Sequence, residues 1–232
     1  MGGKMEELDI VIIGAGFYGL GAAKQYHCQH PDQSIAVVES ASSLGGVWAA
    51  ERIYPGLKSN NLLGTYEYPD FPMDPNLFGV KPGEHIPGRV LNSYQEAYAK
   101  HFGIFNSIRV NTKAVSTEHK PNGGWVVKVS PVVDGKEDSS RQSDLYTRRL
   151  IVASGMVSDP FMPNIKGQEE YHRPIFHAKH FAKYGDTVDP SLGGRVTIFG
   201  GTKSAWDAVY AYGTKGIKVD WIIRGPPLRM VN

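Results

Sequence analysis

The chain contains one local pattern twice: an apolar strand, a glycine turn, a helix, and a second strand that ends on a charged residue. The first copy reads LDIVIIGAGFYGLGAA and then SIAVVES, ending at Glu39. The second reads RVTIFGGTKSAWDAV and then KVDWIIR, ending at Arg224. This order of elements is typical of βαβ units, in which helices cover a parallel sheet. The sequence therefore predicts an α/β protein with two Rossmann-like units.

The two copies end in opposite charges at equivalent positions. Glu39 lies 25 positions after Gly14, and Arg224 lies 24 positions after Gly200. In dinucleotide-binding folds this position faces the ribose 2′ position. A carboxylate accepts a hydrogen bond from a free 2′-hydroxyl and repels a 2′-phosphate, whereas a guanidinium pairs with the phosphate. The first copy therefore predicts a site for FAD or NAD, and the second a site for NADP.

Three glycines of the first turn have separate predicted roles in binding this cofactor. Gly14 permits the tight turn, Gly16 lets the backbone approach a diphosphate, and Gly19 lets the helix pack closely on the sheet. The start of the helix then offers N–H donors and a partial positive charge to the diphosphate.

The second turn departs from this pattern at its middle position. Thr202 stands where the first copy has Gly16, so a Cβ is added where the backbone should approach the cofactor. We expect Gly201 and the hydroxyl groups of Thr202 and Ser204 to compensate, with Gly200 forming the turn itself.

The segment Leu44-Gly45-Gly46-Val47-Trp48 favours FAD over NAD at the first site. It follows Glu39 closely, where the chain of a flavoprotein passes beneath the extended dinucleotide. Gly45 and Gly46 allow close approach, and Trp48 offers a flat apolar cover. The alternative is that the glycine pair only makes a turn and that Trp48 joins the core. The whole segment 42–74 is too long for a simple connection, and loops of this size are usually functional.

Composition describes an ordinary globular protein. Hydrophobic residues make up 41%, charged residues 21%, and the formal net charge is +2, which favours neither a nucleic-acid nor an anionic-membrane partner. The single Cys28 excludes an intramolecular disulfide, and we expect it buried on the first helix. No metal-ligand set is recognisable. Acidic residues precede the first apolar run, which is short and glycine-rich, so we expect no secretory signal or membrane span and a cytoplasmic location.

The ordered set of segments resembles the flavin-containing monooxygenases, in particular fungal members associated with secondary metabolism. The resemblance covers nearly the whole chain and depends on these segments: GAGFYG, Glu39, GGVW, LKSNNLLGTYEYPDFP, HIPG, IVASG, FHAKHF and GGTKSAWDA. It implies that NADPH reduces FAD, that O2 forms a C4a-hydroperoxyflavin, and that one oxygen atom passes to a small organic substrate.

The resemblance also implies roles for individual residues. The active-site asparagine of the family, in a turn preceded by Ser or Thr, falls on Asn60, with Ser59 before it and Asn61 as the neighbouring alternative. Val115 and Gly155 join the expected cofactor contacts. The alternative for Asn60 is an ordinary loop turn.

A linker signature of the family is matched in part. It requires an aromatic residue, a glycine, a histidine and a second aromatic residue, which fall on Tyr171, Arg173, His177 and Phe181. Arg173 replaces the glycine, and His180 is an alternative for the histidine if the motif is aligned at another position. Phe181 in place of Trp favours the flavin-containing branch over Baeyer–Villiger enzymes.

We therefore expect an FAD-binding domain at 1–160 with a β-meander insertion, a linker at 161–194, and the beginning of an NADP-binding domain at 195–232. Members of the family are longer, so the chain looks C-terminally truncated, and we expect an oligomer or a partner to cover the unfinished second domain. Two other functions stay open. They are a non-catalytic FAD-binding remnant or accessory subunit, and a flavin-dependent NADPH dehydrogenase that does not use O2 productively.

Overall fold

The computed structural model of the protein describes residues 5–156 and 159–225. These residues form two compact units. The first contains residues up to 53 and those from 58 to 156, and the second contains 54–57 and the residues from 159 onward.

The first unit contains most of the regular structure. Its elements are β1 (Glu6–Ile13), α1 (Phe17–Gln29), β2 (Ile35–Val38), β3 (Lys58–Leu62), α2 (Pro75–Phe78), β4 (His85–Pro87), α3 (Gly88–His101), β5 (Ile108–Arg109), β6 (Thr112–His119), β7 (Trp125–Val133), β8 (Lys136–Glu137) and β9 (Ser143–Val152).

A seven-stranded mixed sheet organises this unit, in the order β5-β2-β1-β9-β7-β6, with β8 paired to β7. The strands β5, β2, β1 and β9 run parallel, whereas β7 and β6 pair in antiparallel fashion beyond β9. Strands β3 and β4 form a separate antiparallel pair. The expected α/β fold, a Rossmann-like sheet with a β-meander insertion, is confirmed.

Strand β1 is buried on both faces, which explains why its sequence is apolar without alternation. Ile10 and Ile12 pack in one cluster with Leu20 of α1 and with the inward residues of α3. Leu8 and Val11 of the same strand pack in a second cluster with residues of the meander. The sheet is therefore covered on both sides where β1 ends and the first glycine turn begins.

The last strand, β9, begins at Ser143, and its polar half completes the hydrogen bonding between β7 and β1. One expectation about this unit is wrong. Cys28 is exposed. The buried residues of α1 are Gly19, Leu20, Ala23 and Lys24, and Cys28 lies beyond them in the last turn of the helix.

The second unit is built around α4 (Phe181–Tyr184), β10 (Arg195–Phe199), α5 (Lys203–Thr214) and β11 (Lys218–Ile222). The two strands pair in parallel, with Val196 opposite Val219. A small core joins them to the segment expected as a linker, since Phe181 packs with Ala208, Tyr212 and Ile217. In the described part of this unit the sheet has no third strand.

None of the helices within residues 5–156 and 159–225 is long and apolar enough to span a bilayer.

Candidate functional site

The first glycine turn adopts a conformation that only glycine accommodates. Gly14 has φ +103°, and its N–H donates to the Val38 carbonyl at 2.8 Å. A Cβ on Gly14 would lie 2.4 Å from the Ala153 carbonyl oxygen, and one on Gly19 would lie 1.9 Å from the Gly14 carbonyl oxygen. The turn is therefore pressed between the end of β9 and the start of α1.

The backbones of the first glycine turn and of the Gly45-Gly46 segment meet directly. The Gly45 N–H donates to the Ala15 carbonyl at 2.9 Å, and a Cβ on Gly46 would lie 3.0 Å from the Cα of Gly16. Gly16 caps α1 without any side-chain hydrogen bond. We call this main-chain surface, formed by Gly14–Gly16 and Gly45–Gly46, the glycine cradle. Side chains would fill it. The N–H groups of Gly14, Ala15 and Gly45 already donate within the protein, so the N–H groups at the start of α1 are the ones that suit the diphosphate of a dinucleotide.

The Glu39 carboxylate borders the glycine cradle and is already bonded to it. Oε2 accepts from the Ala15 N–H at 2.8 Å, and Oε1 accepts from the Ala41 N–H at 2.9 Å. The residue is buried, with 8% of its surface exposed. A carboxylate has about four acceptor positions, so capacity remains for a hydroxyl donor. Glu39 thus orients the turn in addition to offering an acceptor.

Trp48 is half-buried and packs against the core of the first unit. Its indole Nε1 donates to the Tyr66 hydroxyl at 3.0 Å, and its backbone N–H donates to the Gly45 carbonyl at 3.0 Å. Burial raises the pKa of the Tyr66 phenol, and the bond from Trp48 opposes that rise. The glycine pair therefore forms a turn within the cradle, and Trp48, which is bonded to that turn, contacts the core.

A buried glutamine that the sequence did not single out lies against the same segment. Gln95 of α3 is fully buried, and its Nε2 lies 3.5 Å from the Gly45 carbonyl and 3.3 Å from the Leu91 carbonyl. Its Oε1 has no hydrogen-bond partner among the described residues. One sequence feature could have indicated this residue. Gln95 falls between Leu91 and Tyr98 on the apolar face of a helix, where a polar side chain is unusual.

The asparagine pair lies in a strand and not in the turn expected from the resemblance. Strand β3 pairs with β4, with an irregularity between Lys58 and Leu62. Ser59 is buried and its hydroxyl donates to the Asn61 carbonyl at 2.6 Å, whereas Asn60 and Asn61 are both exposed. The polar sequence suggested a loop, but pairing with His85–Pro87 makes it a strand.

Two further expected contacts occupy irregular backbone. Val115 lies at the register shift of β6 between Ala114 and Ser116 and is 39% exposed. Gly155 follows β9 with φ +79°.

The second glycine turn is held by two tryptophans that the sequence did not single out. Gly200 has φ +128°, and its carbonyl accepts from Trp221 Nε1 at 2.7 Å. The Gly201 carbonyl accepts from Trp206 Nε1 at 3.3 Å, and the two indoles meet edge to face at 4.7 Å. One tryptophan comes from α5 and the other from β11, so both elements fix this turn.

The polar residues expected to bind at the second turn are exposed. Thr202 caps α5 without a side-chain hydrogen bond, and Ser204 lies in the first turn of that helix. Arg224 makes no ion pair or hydrogen bond to any other residue in the described ranges. The guanidinium is therefore available to an anionic ligand.

The residues of the expected linker signature differ in their surroundings. His177 Nδ1 accepts from the Lys179 N–H at 3.1 Å and so caps a short 3-10 helix. Phe181 is buried, whereas Tyr171 and Arg173 are exposed. Within 5–156 and 159–225, no group of three His, Cys, Asp or Glu residues could hold a metal ion.

Comparison with known proteins agrees with this arrangement. An FAD-dependent monooxygenase of Pyrenophora dematioidea is 35% identical over 227 residues, which are 93% of this chain and 39% of the relative. The FAD-dependent monooxygenase resA of Aspergillus sclerotiorum is 34% identical, over 93% of this chain and 37% of the relative. The chain thus spans well under half the length of these curated relatives. They confirm the resemblance to fungal flavin-containing monooxygenases.

Solved structures share the fold. Tmm from Pelagibacter sp. superposes with a TM-score of 0.76 at 24% identity, over 94% of this chain and 52% of that one. An oxidized steroid monooxygenase bound to NADP gives a TM-score of 0.69 at 24% identity, over 94% and 38% of the two chains. A family model described as pyridine nucleotide-disulphide oxidoreductase matches residues 11–232. Since that match includes nearly all of the sequence, the chain belongs to the pyridine nucleotide-disulphide oxidoreductase family.

Proposed function

We propose that the chain binds FAD at the first glycine turn and NADPH at the second. Together these sites would serve a cytoplasmic monooxygenase that inserts one oxygen atom of O2 into a small organic substrate, a secondary metabolite by the resemblance. The printed names of the fungal relatives support FAD and monooxygenation, and the steroid monooxygenase bound to NADP supports the second cofactor. A disulfide exchange reaction is disfavoured, because the chain contains a single cysteine.

The glycine cradle is the observation that carries the proposal. It offers main-chain N–H groups at the start of a helix, and the buried Glu39 carboxylate lies beside it with acceptor capacity to spare. Gly14, Gly16, Gly45 and Gly46 would hold the FAD diphosphate, and Glu39 would accept from a ribose hydroxyl. When bound, FAD supplies the redox and oxygen-activating chemistry, while the protein orients it and excludes water.

The second site is assigned to NADPH by charge. The Arg224 guanidinium, which has no partner within 5–156 and 159–225, suits a 2′-phosphate, and the exposed hydroxyls of Thr202 and Ser204 lie at the start of α5. The exposed apolar side chains of this unit, Phe199, Ile222 and Ile223, are the reason to expect a second copy or a partner on it. Sedimentation of the purified chain measures self-association, and a strictly monomeric chain would contradict the second copy and leave the partner.

Purification with FAD, followed by NADPH oxidation and flavin absorbance under air, tests the function. Flavin reduction by NADPH with formation of an oxygenated product supports the monooxygenase. Flavin retained without reduction contradicts it and favours an accessory FAD-binding protein. Turnover that yields only hydrogen peroxide favours a flavin-dependent dehydrogenase.

The role of Arg224 has its own test. Arg224→Ala should weaken NADPH binding by about ten- to a hundredfold, because a charge-assisted hydrogen bond contributes about 1.5–3 kcal/mol. The affinity for NADH, which lacks the 2′-phosphate, should change little. Arg195→Ala is the matched control, since Arg195 is exposed but already pairs with Asp220 at 2.9 Å. Equal losses for NADPH and NADH would refute the 2′-phosphate role.

The catalytic assignment of Asn60 is tested against its neighbour. Asn60 and Asn61 are both exposed on β3, so replacement of either by Ala should perturb folding little. We expect Asn60→Ala to slow product formation strongly and Asn61→Ala to leave it near the parent rate. The reverse pattern would transfer the role to Asn61.

A further inference from the structure

A stiff four-residue turn of the second unit is inserted between two stretches of the first. Tyr54–Leu57 belongs to the second unit, and β3 begins at the next residue, Lys58. The last N–H of the turn donates to its first carbonyl at 3.1 Å. Pro55 occupies the second position and Gly56, with φ +86°, the third, which is the sequence and geometry of a type II turn. The strand that carries Asn60 is therefore joined covalently to this turn.

Tyr54 fixes the turn to the second unit through its ring and its hydroxyl. The ring packs edge to face on buried Phe181 with centroids 4.9 Å apart. The phenol donates to Asp207 Oδ2 at 2.6 Å. Burial and then the Asp207 carboxylate raise the pKa of the Tyr54 phenol far above its usual range, so the hydroxyl stays protonated and remains a donor.

The Asp207 carboxylate is shared with the residue that follows the second glycine turn. Lys203, the first residue of α5, pairs with Asp207 one helical turn later. Both side chains are largely shielded from solvent, with exposures of 34% for Lys203 and 24% for Asp207. One carboxylate oxygen thus accepts from the Lys203 ammonium at the turn and from the Tyr54 phenol of the inserted segment.

We propose that Tyr54 is a positioning residue that couples dinucleotide occupancy of the second glycine turn to the strand that carries Asn60. An anionic dinucleotide at the turn attracts the Lys203 ammonium and weakens its pairing with Asp207. The carboxylate oxygen is then left to the Tyr54 phenol, and a hydrogen bond to an oxygen that no other donor shares is stronger. The Tyr54–Leu57 turn, and with it the start of β3, is held more firmly. This inference rests on the proposed NADPH site.

Hydrogen exchange of the purified full chain, with and without saturating NADP⁺, tests this coupling. In the parent protein NADP⁺ should slow exchange both at residues 200–206, where it binds, and at 58–62, by about fivefold or more at each, which is within the usual range of coupling between sites. Tyr54→Phe keeps the ring on Phe181 and removes the donor. In that variant the protection at 200–206 should persist while the protection at 58–62 disappears.

A control variant and a second test variant show whether the effect depends on the hydrogen bond between Tyr54 and Asp207. Tyr210→Phe removes an exposed hydroxyl from the same helix and should behave like the parent. Asp207→Asn keeps an oxygen for Tyr54 but weakens the attraction for Lys203, so the strand should no longer respond to NADP⁺ even though the variant is folded by circular dichroism.

Each outcome decides a different statement. Absence of NADP⁺ protection at 200–206 in the parent protein would refute the proposed second site and, with it, the coupling. Protection at 200–206 that never reaches 58–62, or that reaches it equally in Tyr54→Phe, would leave the site intact and overturn the role of Tyr54.

Discussion

Gly19 and Gly21 of α1 are separated by one residue. Replacement by alanine should lower the free energy of unfolding at Gly19 and leave it equal or slightly higher at Gly21. A Cβ on Gly19 would lie 1.9 Å from the Gly14 carbonyl oxygen, whereas one on Gly21 would lie 3.4 Å from the Tyr68 ring. Bringing the first distance to the second requires a backbone displacement of about 1.5 Å, the difference between the two. The first contact is with main chain, which cannot rotate away, and the second is an ordinary van der Waals distance.

The expected free energies follow from these distances. Replacing a helical glycine by alanine stabilises a helix by about 0.5–1 kcal/mol when no clash results. Gly21→Ala should therefore be neutral or slightly more stable than the parent. Overpacking costs about 1–3 kcal/mol, and a clash with backbone belongs at the upper end. The free energy of unfolding of Gly19→Ala should thus lie about 3 kcal/mol below that of Gly21→Ala.

Urea unfolding followed by circular dichroism measures this difference, and titration with FAD measures its consequence for the cradle. Because Gly19 contacts the carbonyl of the turn itself, Gly19→Ala should also weaken FAD binding, while Gly21→Ala should leave it unchanged. Equal stabilities of the two variants, or unaltered FAD affinity in Gly19→Ala, would refute the reasoning from the 1.9 Å approach.

Three further substitutions test single interactions of the first unit. Trp48→Phe removes the indole donor to Tyr66 and should raise the pKa of that phenol further, as measured by ultraviolet absorbance against pH; an unchanged titration would contradict the 3.0 Å bond. The Arg109 guanidinium lowers the pKa of Glu6. The pair therefore stabilises the folded state fully at pH values above the ordinary pKa of 4.5, and this stabilisation is lost as the pH falls through the lowered pKa. Glu6→Gln should therefore flatten the acid limb of a thermal-unfolding profile, and identical limbs would argue against the pair. Glu39→Gln turns one acceptor into a donor that faces a backbone N–H. It should lower the free energy of unfolding, measured with urea, by about 1–3 kcal/mol; an unchanged value would show that the carboxylate does not hold the turn.

The parts of the fold that the sequence could predict are those fixed by local steric rules. The turn at Gly14 follows from glycine spacing between a strand and a helix, and the buried character of β1 follows from its apolar run. Both depend on residues close in sequence. The strand at Asn60 was missed because its neighbours are polar and only pairing with a distant segment makes it extended.

The contacts that could not be predicted join residues far apart along the chain. Tyr54 and Asp207 are separated by 153 positions, and neither belongs to a recognisable motif with the other. The indole donors to Gly200 and Gly201 likewise come from tryptophans whose sequence context reads as ordinary core. Cys28 was misplaced because the buried residues of α1 all precede its last turn, where Cys28 lies.

The inserted turn at Tyr54–Leu57 also has a practical meaning for dividing this protein. A fragment that ended before Asp159 would keep Tyr54 but lose both Phe181 and Asp207, leaving an apolar ring and a phenol without their contacts. A fragment that began at Asp159 would keep the receiving helix and lack the turn. No single cut yields both units whole, so genetic dissection of the two units calls for a graft of this turn onto the second piece.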